Sequence, residues 1–152
     1  MVASEILRSG TEILGAFMTS RGFVYIQEMA GASSGGDFAS GAYVREDRKL
    51  EIHYRHGLGL VTYHIGNNSL RHETLMRALL GLEGGNHYPG FSDDPMDAFR
   101  DLLYDLEHFA ADFLSGAGQI FEQCRLEARA ARKLSRIERL EQRWPNSIEE
   151  TP

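Results

Sequence analysis

The stretch Leu50-Glu51-Ile52-His53-Tyr54-Arg55-His56-Gly57-Leu58-Gly59-Leu60-Val61-Thr62-Tyr63-His64-Ile65 decides the fold. Two runs rich in β-branched and aromatic residues alternate apolar with polar positions on either side of a Gly-containing turn, the pattern of an antiparallel hairpin. A two-residue turn at Gly57-Leu58 pairs His56 with Gly59, so that Glu51 faces His64, His53 faces Thr62 and Arg55 faces Leu60. Leu50, Ile52, Tyr54, Val61, Tyr63 and Ile65 then make the opposite face, apolar throughout, on which helices should pack.

Toward the N-terminus the same period of two reaches back to Phe23. It predicts strands over 23–29, 37–45, 48–56 and 59–65, joined by a flexible loop from Gly31 to Gly36, then Glu46-Asp47, then Gly57-Leu58. Such short connections demand antiparallel neighbours, hence a four-stranded meander. From Ser4 to Ser20, Ile6, Leu7, Ile13, Leu14, Phe17 and Met18 recur at helical spacing before Arg21-Gly22 stops the run.

Beyond the hairpin, Leu70, Leu75, Met76, Leu79 and Leu80 predict a helix over 69–80, and the Pro-Gly of Tyr88-Pro89-Gly90-Phe91 predicts a type II turn. Asp94 then serves as N-cap, Pro95 takes the first helical position and Asp97 meets the positive helix end. That helix carries Phe99, Leu102, Leu106, Phe113 and Leu114 and stops at Ser115-Gly116-Ala117-Gly118. The last helix, 119–143, is rich in arginine with only a narrow apolar seam, so half of it should project from the body. The expected architecture is a single α+β domain over 1–144, with an N-terminal helix, a four-stranded antiparallel meander, three later helices and a sheet covered mainly on one face. Residues 145–152 should form a disordered tail.

The totals agree with one domain: 152 residues, 42% of them apolar and 25% charged. A net charge of −6 repels nucleic acid over most of the surface and favours a basic protein partner. The lone Cys124, with no CxxC motif, points to a reducing compartment and offers no zinc ligand set. Without a basic leader or a run of about 18 apolar residues, the expected location is cytoplasmic, with no membrane contact.

The hairpin register gathers polar groups on one face, where Glu51 could fix a histidine tautomer and raise its basicity while Arg55 binds an anion. Phe38, Ser40 and Ala42 of the preceding strand should leave a shallow concavity beside Glu51 and His53. Solvated Glu, His, Arg and Thr are also ordinary on the open side of an antiparallel sheet. The expected binding surface is therefore Glu51, His53, Arg55 and His64, with His87, Tyr88, Ser92 and Asp93 as secondary members. No catalytic residue, metal or cofactor is assigned. His72-Glu73-Thr74-Leu75-Met76 begins like the HExxH zinc motif but has Met where the second histidine belongs. The Gly31–Gly36 run lacks the Lys-Ser/Thr ending of a P-loop, and acids at 93, 94, 97 and 101 are explained by capping and helix-dipole effects.

The runs Gly22-Phe23 to Phe38-Ala39-Ser40, Leu50 to Arg55, Val61 to Gly66 and Tyr88 to Pro95 resemble an uncharacterised small bacterial domain-of-unknown-function family over about residues 5–116. The helix, meander and trailing helices are also similar at fold level to immunity proteins of bacterial toxin systems, which implies an acidic, catalytically empty inhibitor. The leading expectation is thus a non-enzymatic interaction module, an immunity-type inhibitor of a cationic partner. One alternative is a small hydrolase or ligand-binding enzyme using the Glu/His pair; another is a structural or regulatory homodimer joined through the helix 119–143.

Overall fold

Leu7, Leu14 and Met18 recur on one face of the first helix and are buried together, which fixes how it lies on the sheet. The computed structural model describes residues 2–143. In chain order these form α1 (Ala3–Ser20), β1 (Val24–Ser33), β2 (Gly36–Arg45), β3 (Arg48–Tyr54), β4 (Leu58–Ile65), β5 (Asn68–Arg71), α2 (His72–Leu80), a 3₁₀ turn (Gly81–Glu83), α3 (Pro95–Phe109), α4 (Ala111–Leu114) and α5 (Gln119–Arg143). The fold is α+β, and its antiparallel sheet runs β1-β2-β3-β4-β5. Among the described residues no helix is long and apolar enough to cross a membrane. The tail 145–152 lies outside the described residues.

The sheet has five strands where the sequence predicts four. Ile65 pairs with Asn68 across Gly66-Asn67, Gly66 takes the positive φ of +59° that such a turn needs, and residues 68–71 add a short edge strand. Helix α2 accordingly starts at His72 rather than 69. The expected loop from Gly31 to Gly36 is mostly strand: Ser33 pairs with Gly36, leaving only Ser34-Gly35 as the turn.

In the deciding hairpin the turn holds Arg55-His56-Gly57, closed by Arg55 N–H donating to Gly57 O at 3.0 Å, with His56 at φ +61°. Arg55 therefore faces no strand partner, Tyr54 pairs with Leu58, His53 with Leu60, Glu51 with Thr62 and Lys49 with His64. From Lys49 to His53 this register is offset by two residues from the predicted one, and a bulge at Gly59 shifts it by one more at Tyr54. The even offset leaves the side chains from Leu60 to Ile65 on their predicted faces, which is why the alternation was readable although the turn was not.

The inner face carries Tyr43, Leu50, Ile52, Tyr54, Val61 and Tyr63, all buried. Tyr43 donates its hydroxyl to Thr11 O of α1, Tyr54 stacks on Phe99 of α3, and Tyr63 meets Phe113 of α4 edge-on. Asp94 caps α3 by accepting from Met96 N–H at 2.9 Å, with Pro95 behind it, as the sequence predicts. The single helix expected up to Leu114 breaks at Ala110. That break turns Phe113 onto Phe23, Tyr63 and Phe121. Arg45 and Arg48 then donate to the α4 carbonyls of Leu114 and Phe113, each at 2.6 Å, satisfying groups the short helix leaves unpaired. Among the described residues four α-helices, rather than three, follow the sheet.

Candidate functional site

Strand alternation sends Glu51 and His53 of β3 and His64 of β4 to the outer face, and the observed register sets His64 diagonal to Glu51. Each carboxylate oxygen takes one ring: His64 Nε2 lies 2.8 Å from Oε1 and His53 Nε2 lies 3.0 Å from Oε2. An ionised carboxylate only accepts, so both rings donate Nε2–H and keep Nδ1 as an acceptor when neutral. Partial burial pushes the Glu51 carboxyl up, but hydrogen bonds from His53 and His64 outweigh it and hold the group below the usual carboxylate range. The expected Glu–His pair is thus a His–Glu–His cluster. Among the described residues, no group of three or more His, Cys, Asp and Glu converges to hold a metal ion.

Arg55 stands apart from this cluster. Its guanidinium donates to Ser33 Oγ at 3.0 Å and lies 5.2 Å from the Phe38 ring centroid, tying the β3–β4 turn to the β1–β2 hairpin. Between them Phe38, His53, Arg55 and Leu60 line an open hollow of about 260 Å³. Of the residues expected to open a concavity, Ser40 and Ala42 are buried and do not line this hollow; only Phe38 of that set does. Along β1 the same face exposes Val24, Ile26 and Met29, each at least 50% accessible. Lys49 and Glu28 pair across it at 3.0 Å.

The secondary candidates are dispersed. His87 stacks on Tyr104 at 3.4 Å, and Tyr104 in turn on His108. Tyr88 is buried and donates its hydroxyl to Leu58 O, while Ser92 donates to Asp97 at 2.6 Å. Tyr88, Ser92 and Asp93 nevertheless line a second hollow, about 280 Å³, on the other side of the β3–β4 turn, with Asp94 and Asp101 adding carboxylates. Tyr54 lines both hollows. The predicted type II turn is absent here: Tyr88-Pro89 is cis and Gly90 does not take the positive φ that turn requires.

Sequence reasoning missed one cluster. His72, which the sequence offers only as the start of a failed zinc motif, is fully buried with Tyr63 and Asp105. Tyr63 Oη lies 2.7 Å from His72 Nδ1, and His72 Nε2 lies 2.8 Å from Asp105 Oδ2. Asp105 also accepts from the backbone N–H of His87 and of Tyr88. Burial, and then the Asp105 charge, push the Tyr63 phenol well above its ordinary value, so it stays protonated and donates to His72. The chain of contacts looks like catalytic machinery, but all three groups are sealed from solvent, and its work is to anchor the 87–88 segment to α3. Asp105, interrupting the apolar stripe of α3, was the available signal.

Comparison of the chain with protein-family models, with curated proteins and with solved structures finds no match in any of the three.

Proposed function

We propose that this protein is a non-enzymatic interaction module that binds a protein partner through the outer face of its sheet. The observation that carries this reading is the exposure of Val24, Ile26 and Met29 beside the Glu51–His53–His64 cluster, on the face opposite the one that meets the helices. Large apolar side chains grouped on an open sheet and rimmed by polar ones suit a protein interface. The net charge of −6 and the carboxylates of Asp93 and Asp101 in the neighbouring hollow favour a cationic partner, with room there for a Lys or Arg side chain. In its specific form this is an immunity-type inhibitor that masks a basic protein.

The test is capture from a native lysate with wild type, with Ile26→Glu/Met29→Glu and with Glu51→Ala/His53→Ala/His64→Ala, followed by calorimetric titration of the purified partner. A basic protein bound by wild type and lost by both variants is the expected result; a partner indifferent to both removes the sheet face from the reading. A second reading, a small hydrolase or ligand-binding enzyme, draws on the hollow where His53 and Arg55 stand together. It predicts turnover or binding of an anionic small molecule that His53→Ala abolishes.

A further inference from the structure

Helix α5 has two apolar faces. Through Phe121 and Cys124, both buried, and the half-buried Ala128 it docks onto the body near α2 and α4. From 129 to 141 every residue is exposed, with Ala131 and Arg132 bordering an open hollow beside Glu73, Thr74 and Arg77 of α2. Helices in proteins draw most of their stability from packing an amphipathic face, so an apolar stripe left uncovered on this segment calls for a partner.

On the side away from the docked face run Leu126, Ala130, Leu134, Ile137 and Leu140, the four larger ones exposed by 52%, 59%, 44% and 58%. At about 3.6 residues per turn they fall within one arc of roughly 120°. Their flanks differ in sign: Glu127, Glu138 and Glu141 lie along one edge, Arg129, Lys133 and Arg136 along the other.

We infer that α5 pairs with α5 of a second copy of this chain, in parallel, through the Leu126–Leu140 stripe. The flanks select both the occupant and the direction. When two such helices are related by a two-fold axis along their length, the acidic edge of each meets the basic edge of the other. An antiparallel pair would instead bring acid against acid and base against base. In this arrangement the docked face of each helix, with Phe121 and Cys124, points away from the partner helix.

Sedimentation equilibrium of the full chain is expected to give twice 17.1 kDa, and Leu134→Glu/Ile137→Glu to give a monomer that still melts cooperatively, with a midpoint that no longer depends on protein concentration. Inverting one edge, Glu127→Arg/Glu138→Arg/Glu141→Arg, should weaken the dimer by about tenfold at low salt while leaving the stripe intact. For direction, Ile137→Cys in a Cys124→Ser background should oxidise to a disulfide-linked dimer, because parallel pairing sets each Ile137 beside its copy. Three results would each overturn the proposal: a wild-type monomer at all concentrations, a dimer that survives Leu134→Glu/Ile137→Glu, or a dimer of the Ile137→Cys variant that does not cross-link on oxidation.

Discussion

Asp105 accepts from three donors in a site with no solvent: the His72 ring and the N–H groups of His87 and Tyr88. Removing one member of such a buried set strands the others, so Asp105→Ala should destabilise the fold by about 3–5 kcal/mol, read from urea unfolding. Glu51 is the contrasting case, a partly exposed carboxylate whose effect is read through pH. Its carboxyl is held below its ordinary value of 4.5, so the stability it contributes is fully present above pH 4.5 and is lost as pH falls through the lower, folded-state value. The advantage of wild type over Glu51→Gln in urea midpoint should therefore be largest near neutrality and fade in acid. A difference that persists unchanged well below pH 4.5 would show that the carboxylate is not held by its histidines. Tyr25 is different again: its buried hydroxyl has no hydrogen-bond partner among the described residues, and Tyr25→Phe should leave stability unchanged or raise it by up to about 1 kcal/mol in thermal melts.

Among the elements, the α1–α3 contact is set by a missing side chain. A Cβ at Gly10 would stand 2.3 Å from the Phe99 ring, which is itself fully buried. Helix propensity alone would reward Gly10→Ala by about 1 kcal/mol, but forcing Phe99 away in a filled core costs about 1–3 kcal/mol. Overpacking wins, and the variant should melt lower than wild type. Gly15 is the control on the same helix: nothing lies within 4 Å of its Cβ position, so Gly15→Ala should be stabilising. The sequence announces both as glycines inside a helical pattern; only the position of Phe99 separates them.

For the molecule as a whole, β1 is an edge strand whose outer residues Val24, Ile26 and Met29 contribute to no core. Substituting Ile26→Glu and Met29→Glu should shift the unfolding midpoint little, within about 0.5 kcal/mol per site, while removing the apolar centre of the outer face. Loss of binding by this variant then reports on the interface itself, since a variant that unfolds cannot do so. Matching circular dichroism and melting curves for variant and wild type are the required check.

Which residues alternate toward the helices was legible because alternation is local, whereas the pairing register was not, since it depends on the turn that joins the strands. The period of two in Leu50–Ile65 fixed which residues face the helices, and Asp94-Pro95 fixed where α3 begins, since capping needs only neighbouring atoms. The change from four strands to five, and the break at Ala110, were not legible: residues 68–71 are too few to show a period, and the break is set by where Phe113 finds Phe23 and Tyr63. Glu51, His53 and His64 could be placed on one face from the sequence because a two-residue register offset preserves faces; that one carboxylate binds both rings followed from the turn at Arg55-His56-Gly57. The buried Tyr63–His72–Asp105 chain joins β4, α2 and α3. No pattern within a single element could reveal it, because burial and hydrogen bonding between distant residues are decided only when those elements pack.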